Sequence, residues 1–175
     1  MRPSIVRPCV VSAGLAMAFA LVACGSSEES SGCAQSSFTA AVYGAAQNPI
    51  ESISGKACWS QSGSDWALGL YSSNGRERIV IGRQTGGAPA NGPNPLSGFG
   101  TRALLSWTSG TTWTCSDMSG TGMLNITSQT STTFSGSVSN ATLYCLTSPT
   151  DPTPAVVRLE VTQFFATQGD VSTIP

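Results

Sequence analysis

Four cysteines are the residues whose type and spacing most directly indicate chemistry. They are Cys33, Cys58, Cys115 and Cys145, with sequence separations of 25, 57 and 30. A zinc site made of four thiolates uses close pairs such as C-x-x-C, and these separations contain none. An even number of widely spaced cysteines in an exported chain is instead typical of disulfides. The spacing therefore predicts two disulfides and no metal site.

Catalytic chemistry has few candidates in this chain. Histidine is absent, which excludes Ser-His-Asp and Cys-His catalysis and every histidine-containing metal site. The acidic residues of the C-terminal domain stand singly, mostly beside predicted turns, where such side chains usually serve local structure. The only lysine, Lys56, lacks the S-x-x-K spacing of a serine nucleophile with a lysine base. We predict no catalytic residue, no cofactor and no enzyme activity.

Aromatic side chains offer a second kind of chemistry, the stacking of a sugar or another small ligand on a ring. The candidate stacking residues are Trp113, Tyr71 and Tyr144. Core packing is the competing interpretation for the tryptophans. Trp66 alternates with two leucines, and Trp59 lies beside a predicted disulfide, where tryptophans often pack in β-sandwiches. We assign these last two to the core.

The first 23 residues have the composition of an export signal. Two arginines precede an apolar stretch, 10–22, which has the length of a signal peptide and is too short for an ordinary transmembrane helix. The sequence therefore predicts export and an oxidising compartment, in which disulfides persist.

The end of this segment resembles the lipobox of bacterial lipoproteins. It reads Leu21-Val22-Ala23-Cys24. The resemblance implies transfer of diacylglycerol to the Cys24 sulfur, cleavage before this cysteine, and acylation, for example with palmitate, of the new amino group. It implies a cell-envelope location, with lipid on Cys24 as the link to the membrane. Gly25 favours the outer membrane if the organism has two membranes. An ordinary secretory signal followed by a chance cysteine is the alternative.

Three regions follow from this reading: a signal peptide (1–23), the lipidated cysteine with a polar tether (24–36), and a single β domain (37–175). Cleavage removes two arginines and leaves six basic and nine acidic residues, a net charge of −3. Nucleic-acid binding needs clustered basic residues, so we expect no nucleic-acid partner.

Hydrophobic residues in the domain recur with a period of two, which predicts β-strands. The clearest hairpin joins a strand through Trp66 to a strand over 78–83, with the turn Ser73-Asn74-Gly75 between them. Asn-Gly is the strongest short-range hairpin signal. Shorter candidates are 38–43, 53–59 and 102–108. The glycine- and proline-rich segment 84–100 is predicted as a surface loop, with the rim of a binding site as the alternative.

A second hairpin is predicted from 122–128 and 132–145, with its turn near Thr130. Within the longer strand the hydrophobic residues change parity, and a β-bulge near Ser139-Asn140 would reconcile them. Cys115 and Cys145 lie at equal distances from the turn, which favours a disulfide between them.

The remaining cysteines, Cys33 and Cys58, would then pair and attach the start of the domain to its second strand. With a final strand reaching Phe165, about eight short strands separated by turns are expected. This pattern predicts an all-β, antiparallel β-sandwich, with a small lipocalin-like barrel as the alternative.

The segments 122–128 (GMLNITS) and 134–138 (FSGSV), together with a first strand ending at Gly44, resemble uncharacterised small envelope lipoproteins of bacteria. The resemblance implies a β-sandwich and transfers no catalytic residue. We expect a lipid-anchored accessory protein that acts by contact with an envelope protein; the alternative is a module that binds a glycan or another small ligand.

Overall fold

The computed structural model describes residues 33, 35–44, 49–106, 112–117, 120–146, 155–169 and 171. The predicted signal peptide and Cys24 lie outside these residues. Within the described ranges no helix is long and apolar enough to cross a membrane.

The described chain is almost entirely β-strand. The strands are β1 (Ser37–Tyr43), β2 (Pro49–Ser62), β3 (Asp65–Ser72), β4 (Arg78–Arg83), β5 (Gly92–Pro95), β6 (Gly100–Ser106), β7 (Thr112–Ser116), β8 (Met123–Gln129), β9 (Thr133–Leu146) and β10 (Ala155–Gln168). The second predicted strand is longer than expected. The all-β, antiparallel class is confirmed, with ten strands rather than about eight.

These strands form one sheet in the order β1-β10-β2-β3-β4-β6-β7-β9-β8-β5. Additional β1–β2 and β9–β10 pairings fold the sheet back on itself, as the layers of a sandwich face each other. The pairings are antiparallel except for a two-residue parallel contact between β2 and β10. Among the described strands β5 pairs only with β8. No described strand pairs with the other edge of β5. The sheet is not closed into a barrel, so the lipocalin-like alternative is not formed.

One face of the folded sheet, the inner face, carries the hydrophobic core. Side chains in a strand alternate between two faces, so every second residue of β3, such as Trp66, Leu68 and Leu70, is fully buried there. Trp59 and Phe134 complete an aromatic cluster with Trp66, with ring centroids 4.7 and 5.6 Å from Phe134. Both tryptophans assigned to the core are thus in it.

The β3–β4 hairpin forms as its Asn-Gly turn predicts. Gly75 has φ +72°, a conformation that glycine adopts without steric cost. The Ser72 hydroxyl accepts a hydrogen bond from the Glu77 amide at 2.8 Å and donates one to the Asn74 side chain at 2.7 Å. The turn thus satisfies its own polar groups.

The predicted bulge in β9 is present at Ser139–Asn140. Opposite it, Leu159 pairs with Ala141 and Val161 with Val138, so two residues of β9 face one residue of β10. Asn140 has φ +55°, and its backbone N–H donates a hydrogen bond to the Glu160 carboxylate at 3.0 Å. The bulge places Phe134, Val138, Leu143 and Cys145 on the same buried face.

The segment 84–100 is not simply a surface loop, so that prediction was wrong in part. It contains β5 and a short 3-10 helix, Leu96–Gly98, whose Leu96 is fully buried. The Leu96 amide donates to the Gly122 carbonyl at 3.0 Å. Local composition favoured a loop, but the prolines fit an edge strand and the lone leucine finds a place in the core.

Two disulfides join Cys33 to Cys58 and Cys115 to Cys145, the pairing that the sequence predicts. The second links directly opposed residues of β7 and β9. Because all four thiols are in disulfides, the four-cysteine zinc site considered from the sequence does not form.

Candidate functional site

A groove crosses the outer face of β1, β10, β9 and β8. It has a volume of about 430 Å³ and is open to solvent. Its lining consists of small polar residues and two phenylalanines: Ser37, Thr127, Ser135, Gly136, Ser137, Thr162, Gln163, Phe164 and Phe165. Nothing in the sequence analysis singled out this set, because its members come from four strands.

A bulge in β10 forms one side of the groove. Val161 pairs with Val138 and Phe164 with Gly136, so Thr162 and Gln163 together face a single residue of β9. A bulge bends the strand and adds one unpaired residue to the ladder. Both of its residues are exposed here, and their polar side chains lie beside the groove.

A second bulge, in β8, forms the opposite side. Ile126 pairs with Gly136 and Ser128 with Ser135, so Thr127 is the additional residue. The same short stretch of β9, Ser135–Ser137, is therefore flanked by a bulged strand on each side. Bulges are enriched next to functional sites because they redirect side chains, and here they make a depression in an otherwise regular surface.

The aromatic floor of the groove depends on the β10 bulge. Upstream of it, Val157, Leu159 and Val161 are buried on the inner face. The additional residue reverses the parity, so Phe164 is 3% exposed and Phe165 is 39% exposed. Without the bulge, strict alternation would have turned the Phe165 ring inward.

Gly136 allows the buried ring to lie against β9. A Cβ atom at this position would be 2.9 Å from the Phe164 ring and would also overlap the Asn125 carbonyl. The Phe164 ring can therefore pack beneath the groove only because position 136 has no side chain. The neighbouring Phe165 ring remains at the surface.

None of the nine lining residues has an ionisable side chain. The nearest charged pair in sequence is Arg158 and Glu160, whose side chains are 3.4 Å apart. Arg158 also lies over the Tyr43 ring, 4.6 Å from its centroid. The charges near this end of β10 are thus paired with each other, and the groove offers hydroxyl groups, one amide and an aromatic ring.

The structure does not bring the predicted stacking residues Trp113, Tyr71 and Tyr144 together. Trp113 packs partly buried against the core. The tyrosines belong to β3 and β9, two strands that do not pair with each other. The Tyr71 ring covers Gly69, and its hydroxyl donates to the Val171 carbonyl at 3.3 Å.

Phe165 is the aromatic residue that sequence reasoning missed. The sequence pattern predicts it only as the end of the last strand. The adjacent pair Phe164-Phe165 was the available signal, since neighbouring residues in a strand point to opposite faces and one of two adjacent rings must face outward.

A second groove, of about 510 Å³, lies over β4 and the start of β6. Its floor is bare backbone at Gly82 and Gly100, which pair with each other. Gln84 and Thr85 supply its polar side chains, and its lining contains no aromatic ring. Compared with this second groove, the groove across β1, β10, β9 and β8 has more polar side chains and also an aromatic ring on which a ligand can stack.

Comparisons with known proteins do not add a family to this geometry. No family model, no curated protein and no solved structure matches the chain.

Proposed function

We propose that the protein is a lipid-anchored, non-enzymatic module of the bacterial cell envelope that binds a neutral glycan. The observation that supports this proposal is the uncharged groove around the exposed Phe165 ring. The apolar face of a sugar ring packs on an aromatic side chain, and its hydroxyl groups exchange hydrogen bonds with serine, threonine and glutamine.

Because no lining residue of the groove is charged, the groove favours a neutral ligand. An acidic glycan or a phosphate group would be met by lysine or arginine, and the lining has neither. A purely apolar ligand would leave the many hydroxyl groups of the groove without partners. A neutral, hydroxyl-rich ligand satisfies both conditions.

The proposed anchor would hold this groove near the membrane. Ser37, which lines the groove, is thirteen positions after Cys24. Whatever structure the intervening residues adopt, thirteen residues reach at most about 45 Å. Two or three acyl chains on Cys24 give stable membrane attachment, so the ligand would belong to the layer of the envelope next to that membrane.

The test of glycan binding uses the full-length protein in detergent and an array of neutral and acidic oligosaccharides. We expect binding to neutral glycans, and a loss of at least about tenfold in affinity for Phe165→Ala, as for other central aromatic contacts. Phe165→Trp should retain binding because a ring is preserved.

Val156→Ala is the matched control, since Val156 is an exposed apolar residue on the same strand, 51% exposed and outside the groove. It should bind as the unaltered protein does. Failure to bind any sugar, or equal binding by Phe165→Ala, would contradict the proposal and favour the protein-contact role considered from the sequence.

Lipid attachment is tested separately by mass spectrometry of the protein expressed in a bacterium. Cys24→Ala should accumulate as unprocessed precursor without lipid, whereas Cys33→Ala should still be processed and lipidated. A lipidated Cys24→Ala product would show that the lipobox interpretation is wrong.

A further inference from the structure

The groove residues are aligned across the strands rather than along them. Ser37 of β1 pairs with Phe165 of β10, Phe165 pairs with Ser135 of β9, and Ser135 pairs with Ser128 of β8, the neighbour of the lining residue Thr127. The four positions form one row perpendicular to the strands. Three strand spacings separate its ends, a length of about 14 Å.

A second polar row runs beside the first. Thr39 pairs with Gln163, and Ser137 pairs with Asn125. Gln163 and Ser137 meet at the β10 bulge, where two residues of β10 face one residue of β9. The two rows thus place polar side chains on both sides of a path that crosses four strands, with the Phe165 ring in the first of them.

Toward the start of β10 the outer face becomes charged. From Phe165 in this direction it reaches Glu160 and then Arg158, which form an ion pair. Glu160 also accepts a hydrogen bond from the Asn140 backbone amide. A neutral ligand that extended this way would meet charged groups that are already partnered, whereas the path across the strands meets hydroxyl and amide groups.

Building on the glycan-binding function proposed above, we propose that the ligand is a linear, neutral oligosaccharide of at least three sugar units that lies across β1, β10, β9 and β8. One unit stacks on Phe165. Units on either side reach Ser37 at the β1 end and Thr127 at the β8 end. A single sugar on the ring cannot contact both ends, because they are about three strand spacings apart.

The experiment measures affinity as a function of chain length. Titration calorimetry on the full-length protein in detergent uses two neutral series, N-acetylglucosamine oligomers and β-1,4-linked glucose oligomers, each of one to five units. We expect affinity for the better series to rise at least about tenfold from one unit to three and then to level off.

The two ends of the groove are tested with Ser37→Ala and Thr127→Ala. Each removes one hydroxyl group and should lower the affinity for the trimer about two- to tenfold, the equivalent of one net hydrogen bond. Thr127 is two strand spacings from Phe165, so Thr127→Ala should leave the weak affinity for the single sugar unchanged. Ser52→Ala, an exposed serine on β2 outside the groove, is the control and should change neither.

The outcomes separate this inference from the function on which it depends. If a single sugar binds as tightly as a trimer, or if Thr127→Ala weakens both equally, the extended ligand is wrong and glycan binding stands. If neither series binds at any length, the extended ligand and the glycan-binding function are both overturned.

Discussion

The β2–β3–β4 region and the β10–β9–β8 region have the same kind of antiparallel pairing but very different outer faces. Pairing between β2 and β3, and between β3 and β4, runs without a shift in register. Pairing between β10 and β9 shifts twice, and pairing between β9 and β8 shifts once. In the regular region, side chains cover the outer face of β2 and β3, and the second groove, which has no aromatic ring, lies over β4. The bulged region holds the groove around Phe165.

The cover of the regular region comes from the two ends of the described chain. The Cys33–Cys58 disulfide packs with Val171 on its outer face, and Tyr71 and Val80 pack against this cluster. The Tyr71 ring lies over Gly69, where any side chain would overlap it. The outer face here is therefore a second, small core.

The comparison shows that composition does not decide which face of a strand becomes a site. Both regions contain several serines and aromatic residues, and each has a glycine beside an aromatic ring. In the regular region an aromatic ring folds down onto a glycine, while in the bulged region an additional residue pushes Phe165 outward. We expect changes to the regular region to alter stability and changes to the groove to alter binding.

Truncation of a core residue in the regular region should have the largest effect. Leu68 is completely buried in β3, and Leu68→Ala should lower the free energy of unfolding by about 2–5 kcal/mol, because it removes apolar contacts and leaves a cavity. Urea unfolding measures this change. Val156→Ala, at an exposed site, should stay within about 0.5 kcal/mol; equal losses would contradict the assignment of Leu68 to the core.

Removal of the Cys33–Cys58 disulfide, which covers the regular region, should have the next largest effect on stability. Cys33→Ala combined with Cys58→Ala should cost about 2–4 kcal/mol of unfolding free energy, because the unfolded chain is no longer constrained. The Cys115–Cys145 pair closes a loop of similar length, 30 against 25 positions, and its double alanine variant provides the comparison. A melting temperature unchanged by loss of Cys33–Cys58 would show that the cover does not stabilise the regular region.

A smaller effect is expected at the bulge of β9. Asn140 has φ +55°, a left-handed conformation that costs most residues about 1–2 kcal/mol and that asparagine and glycine adopt more readily. Asn140→Ala should therefore lower the free energy of unfolding by about 1 kcal/mol, while Asn140→Gly should change it by only a few tenths of a kcal/mol. Equal effects of both substitutions in urea unfolding would mean that the bulge relaxes when its asparagine is replaced.

The smallest effect is expected from salt. Because no lining residue of the groove is ionisable, affinity for a neutral oligosaccharide should change less than about twofold between roughly 0.05 and 0.5 M salt. Calorimetry at the two salt concentrations measures this. A steep fall in affinity would show that a charged group contributes and that the ligand is not neutral.

Local features of this fold were predictable from the sequence. The Asn-Gly turn at 74–75 depends on backbone preferences of two residues, and the bulge at Ser139–Asn140 follows from a change of parity within one strand. The disulfide between Cys115 and Cys145 followed from their positions about the turn near Thr130. The turn and the bulge depend on residues close in sequence or on a single strand, and the disulfide depends on two cysteines placed symmetrically about one hairpin turn.

The groove was not predictable in the same way. Its residues come from positions 37, 127, 135–137 and 162–165, and their proximity depends on which strands pair and in which register. Leu96 was missed for the same reason, since its burial depends on the core that surrounds it and not on its glycine- and proline-rich neighbours. The adjacent rings of Phe164 and Phe165 marked a strand with two apolar faces without saying which ring would be outside.

Turn preferences, period-two hydrophobicity and composition act locally. They were enough to predict the class of fold, the pairing of the cysteines, the hairpin turns and the absence of histidine chemistry. The outward position of Phe165 and the meeting of Ser37, Ser135 and Thr127 in one groove depend on register instead. A single additional residue in β10 or β8 reverses which side chains face solvent, and strand pairing decides which of them become neighbours.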